Sequence, residues 1–252
     1  MSLKVGDILP TSRWGDIKII GYINSKNVTV EFINTGGIKV TNSSNIYRGA
    51  VKDELQPDLV YGVGYNNIKN CIKKGSEYEF EYKLWTRMLW RCYDTTYMKQ
   101  FPTYANKTVS EEWLVFSNFV EDVRKFVGYD KAKYETWELD KDILVKGNTV
   151  YSKSTCCFTP KQLNYLLLNP KGNRNSYPIG VHKKRNCKKY SVKMSKDNIN
   201  VSLGTFDTPE EAFYAYKEAK ELYIKEVANK WKDQIDPRVY DALMKYQVEI
   251  TD

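Results

Sequence analysis

The 252 residues are 42% hydrophobic, 14% aromatic and 28% charged, the composition of a folded chain, which excludes wholesale disorder. No apolar run approaches the roughly 18 residues that a membrane span needs, and the start "MSLKVGDILP" has no signal core with a cleavage site, so a cytoplasmic protein without membrane partners is expected. Net charge is +8, and five cysteines without a C-x-x-C pair point to reduced, buried thiols, not a disulfide framework or a four-ligand zinc site.

Residues 1–55 read as short strands, "DIKIIGYI", "NVTVEFI" and "GIKVTNSSNIY", separated by turns. Val28, Val30 and Phe32 alternate with polar neighbours, which predicts a small antiparallel β-barrel. Residues 56–77 carry glycine and little periodicity and read as a linker. From Tyr78 the pattern turns helical, with Leu84, Trp85, Met88, Leu89 and Cys92 on one face. A second helix is predicted at "SEEW", with Ser110 as N-cap and Trp113, Phe116, Val120, Val123 and Val127 along its buried face. In "WELDKDILVKGNTVYSKSTCC" Asp140 and Asp142 lie two apart, so on a strand or hairpin arm they would share one face, before a turn at "KGN". Residues 169–176 are a second linker of turn formers.

Between Lys171 and Asn200 stand nine Lys or Arg against one acid, so this segment carries the whole positive excess of the chain. A run of that kind is the electrostatic footprint of a polyanion-binding surface. Around it "IGVHKKR", "KYSVKMS" and "NINVSLGTF" alternate with period two. Ile179, Val181, Tyr190, Val192, Met194, Ile199, Val201 and Leu203 are expected on an apolar face, and His182, Lys184, Ser191, Lys193, Ser195, Asn200 and Ser202 on the opposite one. A helix follows, with Thr208 as cap, Pro209 at its first position and Glu211 completing a capping box. Its stripe of Ala212, Ala215, Tyr216, Ala219, Tyr223 and Val227 is expected to cover the apolar face. The remaining polar face suits groove contact, with Lys and Arg on phosphates and Ser, Asn and His on base edges. His182, the single histidine, reads as a residue of that face and not as a catalytic base.

The stretch "YPIGVHKKRNCKKYSVKM" with "VSLGTFDTPEEAFYAYKEA" resembles the DNA-binding domain of plant APETALA and ethylene-response-factor regulators, which also occurs in phage homing endonucleases. The resemblance implies a three-stranded sheet lying in the major groove of double-stranded DNA, with His182, Lys184, Lys193 and Ser195 at contacting positions. The wider set of DNA-binding candidates is His182, Lys183, Lys184, Arg185, Lys188, Lys189, Lys193, Ser195 and Lys196.

The ordered set "WTRMLWRCYD", "TYANKTVSEEW", "LDKDIL", "GNTVYS", "STCCFTP" and Asn164 is similar to bacteriophage HNH-type proteins, although residues 78–168 contain no histidine. Lys141 stands where that resemblance places the general base. Asp140, Asp142 and Asn148 remain as oxygen donors for Mg2+, with Asp140 and Asp142 as the catalytic candidates if the metal alone activates water. The alternative is that these acids cap turns and pair with nearby lysines. The amino-terminal segment, with "VGD" and "TGG", resembles small Src-homology-like barrels.

The expected architecture is α+β and multidomain: a small β-barrel (1–55), a linker (56–77), an HNH-like α+β domain (78–168), a three-stranded antiparallel sheet packed on a helix (177–232) and a tail helix (233–252). The expected function is that of a phage-type double-stranded DNA-binding protein in the host cytoplasm. Three readings stay open at this point: a metal-dependent homing-type endonuclease, a regulator that binds without cutting, and an adaptor for a host protein.

Overall fold

The structure, a computed structural model, describes residues 3–167, 177–183, 187–197 and 199–252. The chain is α+β and divides into two compact units, Met1–Leu59 and Val60–Asp252. Among the described residues no helix is long and apolar enough to cross a membrane.

In the first unit, β1 (Ile8–Pro10), β2 (Asp16–Asn24), β3 (Asn27–Phe32) and β4 (Ile38–Thr41) form an antiparallel meander in that order. Ile17, Ile19, Val28, Val30 and Phe32 are buried, as the alternation requires, and Ile46 and Val51 complete the core. The sheet does not close into the expected barrel. Its outer strands are three and four residues long and are not neighbours of one another. The predicted strand "GIKVTNSSNIY" ends at Thr41 because the Asn42 side chain accepts from the Asn45 amide at 2.8 Å and caps a short helix, α1 (Ser43–Tyr47).

The second unit begins with a segment that packs closely on α2 (Glu79–Tyr93): Cys71 is buried, and a Cβ at Gly64 would lie 2.4 Å from Leu89 and 2.8 Å from Trp85. Trp85, Met88, Leu89 and Cys92 form the buried stripe of α2, joined by Glu81. After α3 (Thr95–Gln100) comes β5 (Thr108–Val109). The helix expected at "SEEW" is two helices, α4 (Glu111–Leu114) and α5 (Phe116–Val123). Val115 between them is extended and bridges Tyr65, and the Ser110 hydroxyl makes no cap bond. Phe119 takes an inward position, while Val127 stays exposed.

Following α6 (Tyr129–Tyr134), β6 (Trp137–Asp140) pairs antiparallel with β8 (Cys157–Pro160), and β7 (Val150–Tyr151) runs parallel to β5. Helix α7 (Lys161–Leu167) follows β8 directly. The carboxy-terminal part contains a three-stranded antiparallel sheet, β9 (Val181–Lys183), β10 (Tyr190–Lys196) and β11 (Ile199–Phe206), covered by α8 (Pro209–Trp231). The capping box forms as read: Thr208 Oγ1 accepts from the Glu211 amide and the Glu211 carboxylate accepts from the Thr208 amide.

Helix α9 (Pro237–Met244), N-capped by Asp236, packs on α8. Trp231 meets Trp137 edge to face at 6.0 Å, and Lys146 bonds Asp252 at 2.7 Å. One continuous core therefore runs from Cys71 through α2 and β8 to Val248.

Candidate nucleic-acid interface and the central loop

The register of the carboxy-terminal sheet sorts its residues onto two faces. His182 lies opposite Ser191, Ser191 opposite Thr205, Lys193 opposite Ser202, and Ser195 opposite Asn200. Side chains directly opposite in an antiparallel pair share a face, and this one is turned from α8: His182, Lys193, Ser195, Asn200 and Ser202 are exposed, whereas Val181, Val192 and Met194 on the other face are buried. No acid occupies the outer face among the described residues.

Not every basic residue of the segment belongs there. Lys183 lies opposite Tyr190, donates to its hydroxyl at 3.1 Å and sits 4.4 Å from its ring. Lys196 is on the helix side, where it bonds Glu226 at 2.7 Å and rests on the Tyr223 ring. Lys188 and Lys189 are exposed in the loop before β10, and Lys189 pairs with Asp207 at 3.3 Å. Lys184 and Arg185 lie outside the described residues, as does the linker 169–176. Ile199 and Val201, expected in the core, are exposed on the edge strand β11. A bulge between Val192 and Lys193 and the positive φ of Gly204 fix the twist of the hairpin.

Glycine 180 seats this sheet on its helix. Its φ is +77°, and a Cβ there would come within 2.1 Å of the Tyr216 ring. Its carbonyl accepts from the Lys193 amide at 3.1 Å, so the same close approach places the start of β9 beside Lys193.

In the central part, the loop from Asp140 to Val150 connects β6 to β7. Strand β6 ends at Asp140, so Asp142 does not share a strand face with it, contrary to the period-two reading. Asp140 Oδ1 accepts from the amides of Asp142 and Ile143, both at 2.7 Å, which closes the turn. Burial raises its pKa, opposed by those two bonds. Lys141 is buried and donates to Asp142 Oδ2 at 2.6 Å. Asn148 is used up within the loop: its Nδ2 donates to the carbonyls of Lys141 and Val150, and its Oδ1 accepts from the Val150 amide. Asn164 accepts from Thr159 and donates to Glu138.

These residues do not fit a magnesium ion. Asp140 and Asn148 are turned to backbone partners, the Asp142 carboxylate is already neutralised by an ammonium group, and Lys107 adds another cation by donating to the Asn148 carbonyl at 3.0 Å. Among the described residues no group of three or more His, Cys, Asp or Glu could hold a metal ion. Cys92, Cys156 and Cys157 are buried, and burial pushes the first two up to about 11 and about 12, which leaves them as core thiols.

Around Lys141 the fold gathers Arg91 from α2, Lys107 from before β5, Tyr104 and Tyr151. The sequence alone does not single out these four, because the parallel pairing of β5 with β7 is what brings positions 107 and 148 together. A further charged group lies away from this loop: Glu81, fully buried on α2, accepts from Arg124 Nε at 2.6 Å and from the Tyr129 hydroxyl. Burial alone would raise its pKa, but those bonds hold it below its ordinary value.

Comparison with models of protein families, with curated proteins and with solved structures gives no match in any of the three.

Proposed function

We propose that this chain binds double-stranded DNA through the outer face of its carboxy-terminal sheet and does not hydrolyse it. The observation that carries the reading is the acid-free polar face of His182, Ser191, Lys193, Ser195, Asn200, Ser202 and Thr205, flanked by the exposed Lys188 and Lys189. Short hydrogen-bonding side chains there can reach base edges while the lysines meet phosphates. The major groove admits a β-ribbon, and strands are used there by known sheet readers.

The resemblance to HNH-type phage proteins supports the substrate class, and the state of the central loop supports binding without cutting. Lys141, standing in the position of the general base, is buried and paired with Asp142, and the remaining oxygen donors are engaged in the turn. A base must reach the proton it removes.

Fluorescence anisotropy on a labelled duplex, titrated at several salt concentrations, tests the binding, and a plasmid-nicking assay with Mg2+ or Mn2+ tests the chemistry. Affinity should fall steeply with salt, and Lys193→Gln should lower the slope of log K against log salt by about one. Exchange of the exposed Lys73 and Lys74 for Gln should leave that slope unchanged. A flat salt dependence refutes the binding surface; metal-dependent nicking lost in an Asp140→Ala, Asp142→Ala variant refutes the absence of cleavage.

A further inference from the structure

Around the central loop the cations outnumber, among the described residues, the acids that face them. Lys107 and Lys141 both direct their ammonium groups at one acceptor, the Asn148 carbonyl, at 3.0 and 3.4 Å. Arg91, which shares Cys92 as a neighbour with both lysines, bonds the Tyr151 phenol through its guanidinium but keeps a buried Nε without a hydrogen-bond partner. Against these three cations stand two carboxylates. Asp142 is held by Lys141, and Asp140 is turned to two backbone amides.

Such a cluster is costly by itself. Burial lowers the pKa of Lys107, and the nearby Lys141 cation lowers it further. Like charges that share one carbonyl repel, and an unpaired guanidinium nitrogen out of water forgoes a strong hydrogen bond. An oxyanion would supply the missing acceptor: it accepts from ammonium, guanidinium and phenol alike, and its charge offsets that of Lys107 and Arg91. The cluster is open to solvent on the side of Asp142 and Lys107, which are not buried, so an anion can reach it.

We propose that Arg91, Lys107 and Lys141, with the hydroxyls of Tyr104 and Tyr151, form an oxyanion site that takes one phosphate group. Where an HNH-type centre would hold a divalent cation, this chain presents the opposite charge. The inference rests on the nucleic-acid reading above for the source of the phosphate, a backbone phosphate of the bound duplex, but not for the chemistry of the site.

The experiment has two arms, both on the full chain. In the first, thermal unfolding is followed by tryptophan fluorescence in sodium phosphate and in sodium chloride of equal ionic strength; five of the six tryptophans lie in the second unit. Phosphate should raise the melting temperature by about 3 to 5 °C at tenfold excess over its dissociation constant. The rise should vanish in Lys107→Gln, return in Lys107→Arg and persist in Lys193→Gln. The site is overturned if phosphate stabilises no better than chloride, or if Lys107→Gln responds like the wild type.

The second arm measures duplex affinity against salt. A slope lowered by about one in Lys107→Gln assigns the phosphate to the DNA backbone. An unchanged slope, with the phosphate response lost in that variant, assigns the site to a free phosphate and overturns the DNA source. If no duplex binds at all, the nucleic-acid reading fails, and the first arm alone still decides the site.

Discussion

Replacing Gly180 by Ala tests whether the close approach of this backbone to Tyr216 builds the outer face of the sheet. Two costs add. A left-handed φ of +77° disfavours an L side chain by roughly 1 to 2 kcal/mol. A methyl group 2.1 Å from the Tyr216 ring overpacks a buried contact, which costs about 1 to 3 kcal/mol. The sum is roughly 2 to 5 kcal/mol, and for a unit the size of residues 60–252 that lowers the melting temperature by about 5 to 15 °C. Calorimetry on the single variants and on Gly180→Ala with Tyr216→Leu separates the two costs. The steric part should be recovered when the ring is removed, and the conformational part should remain. Because the Gly180 carbonyl accepts from the Lys193 amide, duplex affinity should fall with stability. Additivity within about 0.5 kcal/mol would refute the argument that the ring contact requires glycine here.

Removal of Arg124 by alanine leaves the Glu81 carboxylate buried without its cation, and urea titration should find a loss of about 3 to 5 kcal/mol. The folded state holds Glu81 below its ordinary value of 4.5, so the unfolded chain takes up the proton first as pH falls; the stabilisation is complete above about that value and is lost as pH drops through the lower folded one. Glu81→Gln should flatten that acid limb in melting curves taken from neutral pH downward. Asp140→Ala frees two backbone amides and should cost about 1 to 3 kcal/mol in the same titration, equally with and without Mg2+, a result that a metal-ligand role would not give. Lys196→Gln, which breaks a half-exposed pair with Glu226, should shift stability by no more than about 1 kcal/mol and leave the salt slope of DNA binding at its wild-type value, in contrast to Lys193→Gln.

What could be read from the sequence was what neighbouring residues decide among themselves. The capping box of Thr208 and Glu211 closes within four positions, the alternation of Val28, Val30 and Phe32 follows from the pleat, and the stripe of Trp85, Met88, Leu89 and Cys92 follows from the helical repeat. The polar set on the outer face of the carboxy-terminal sheet was legible for the same reason, since strand pairing keeps His182, Lys193 and Ser195 on one side. Charge counting failed where geometry divides the charges. Lys183 and Lys196 contribute to the basic run, yet Tyr190 and Glu226 draw them to other partners.

The remaining differences have distant causes. Nothing near Val115 ends the helix expected there; the residue is extended where it bridges Tyr65, fifty positions earlier in the chain. Ile199 and Val201 alternate correctly but belong to an edge strand, and α8 packs mainly on β10, so their side chains stay in water. Asp140 and Asp142 looked like a pair because spacing two implies one face only while a strand lasts, and this one stops at the first of them to cap its own turn. The cluster of Arg91, Lys107 and Lys141 is the extreme case. Each is an ordinary basic residue in its local window, and their meeting depends on α2, on the parallel contact of β5 with β7, and on the turn that Asp140 holds. What no local window carries is the environment of Lys141, which the fold buries, pairs with Asp142 and sets beside the Lys107 ammonium at the Asn148 carbonyl.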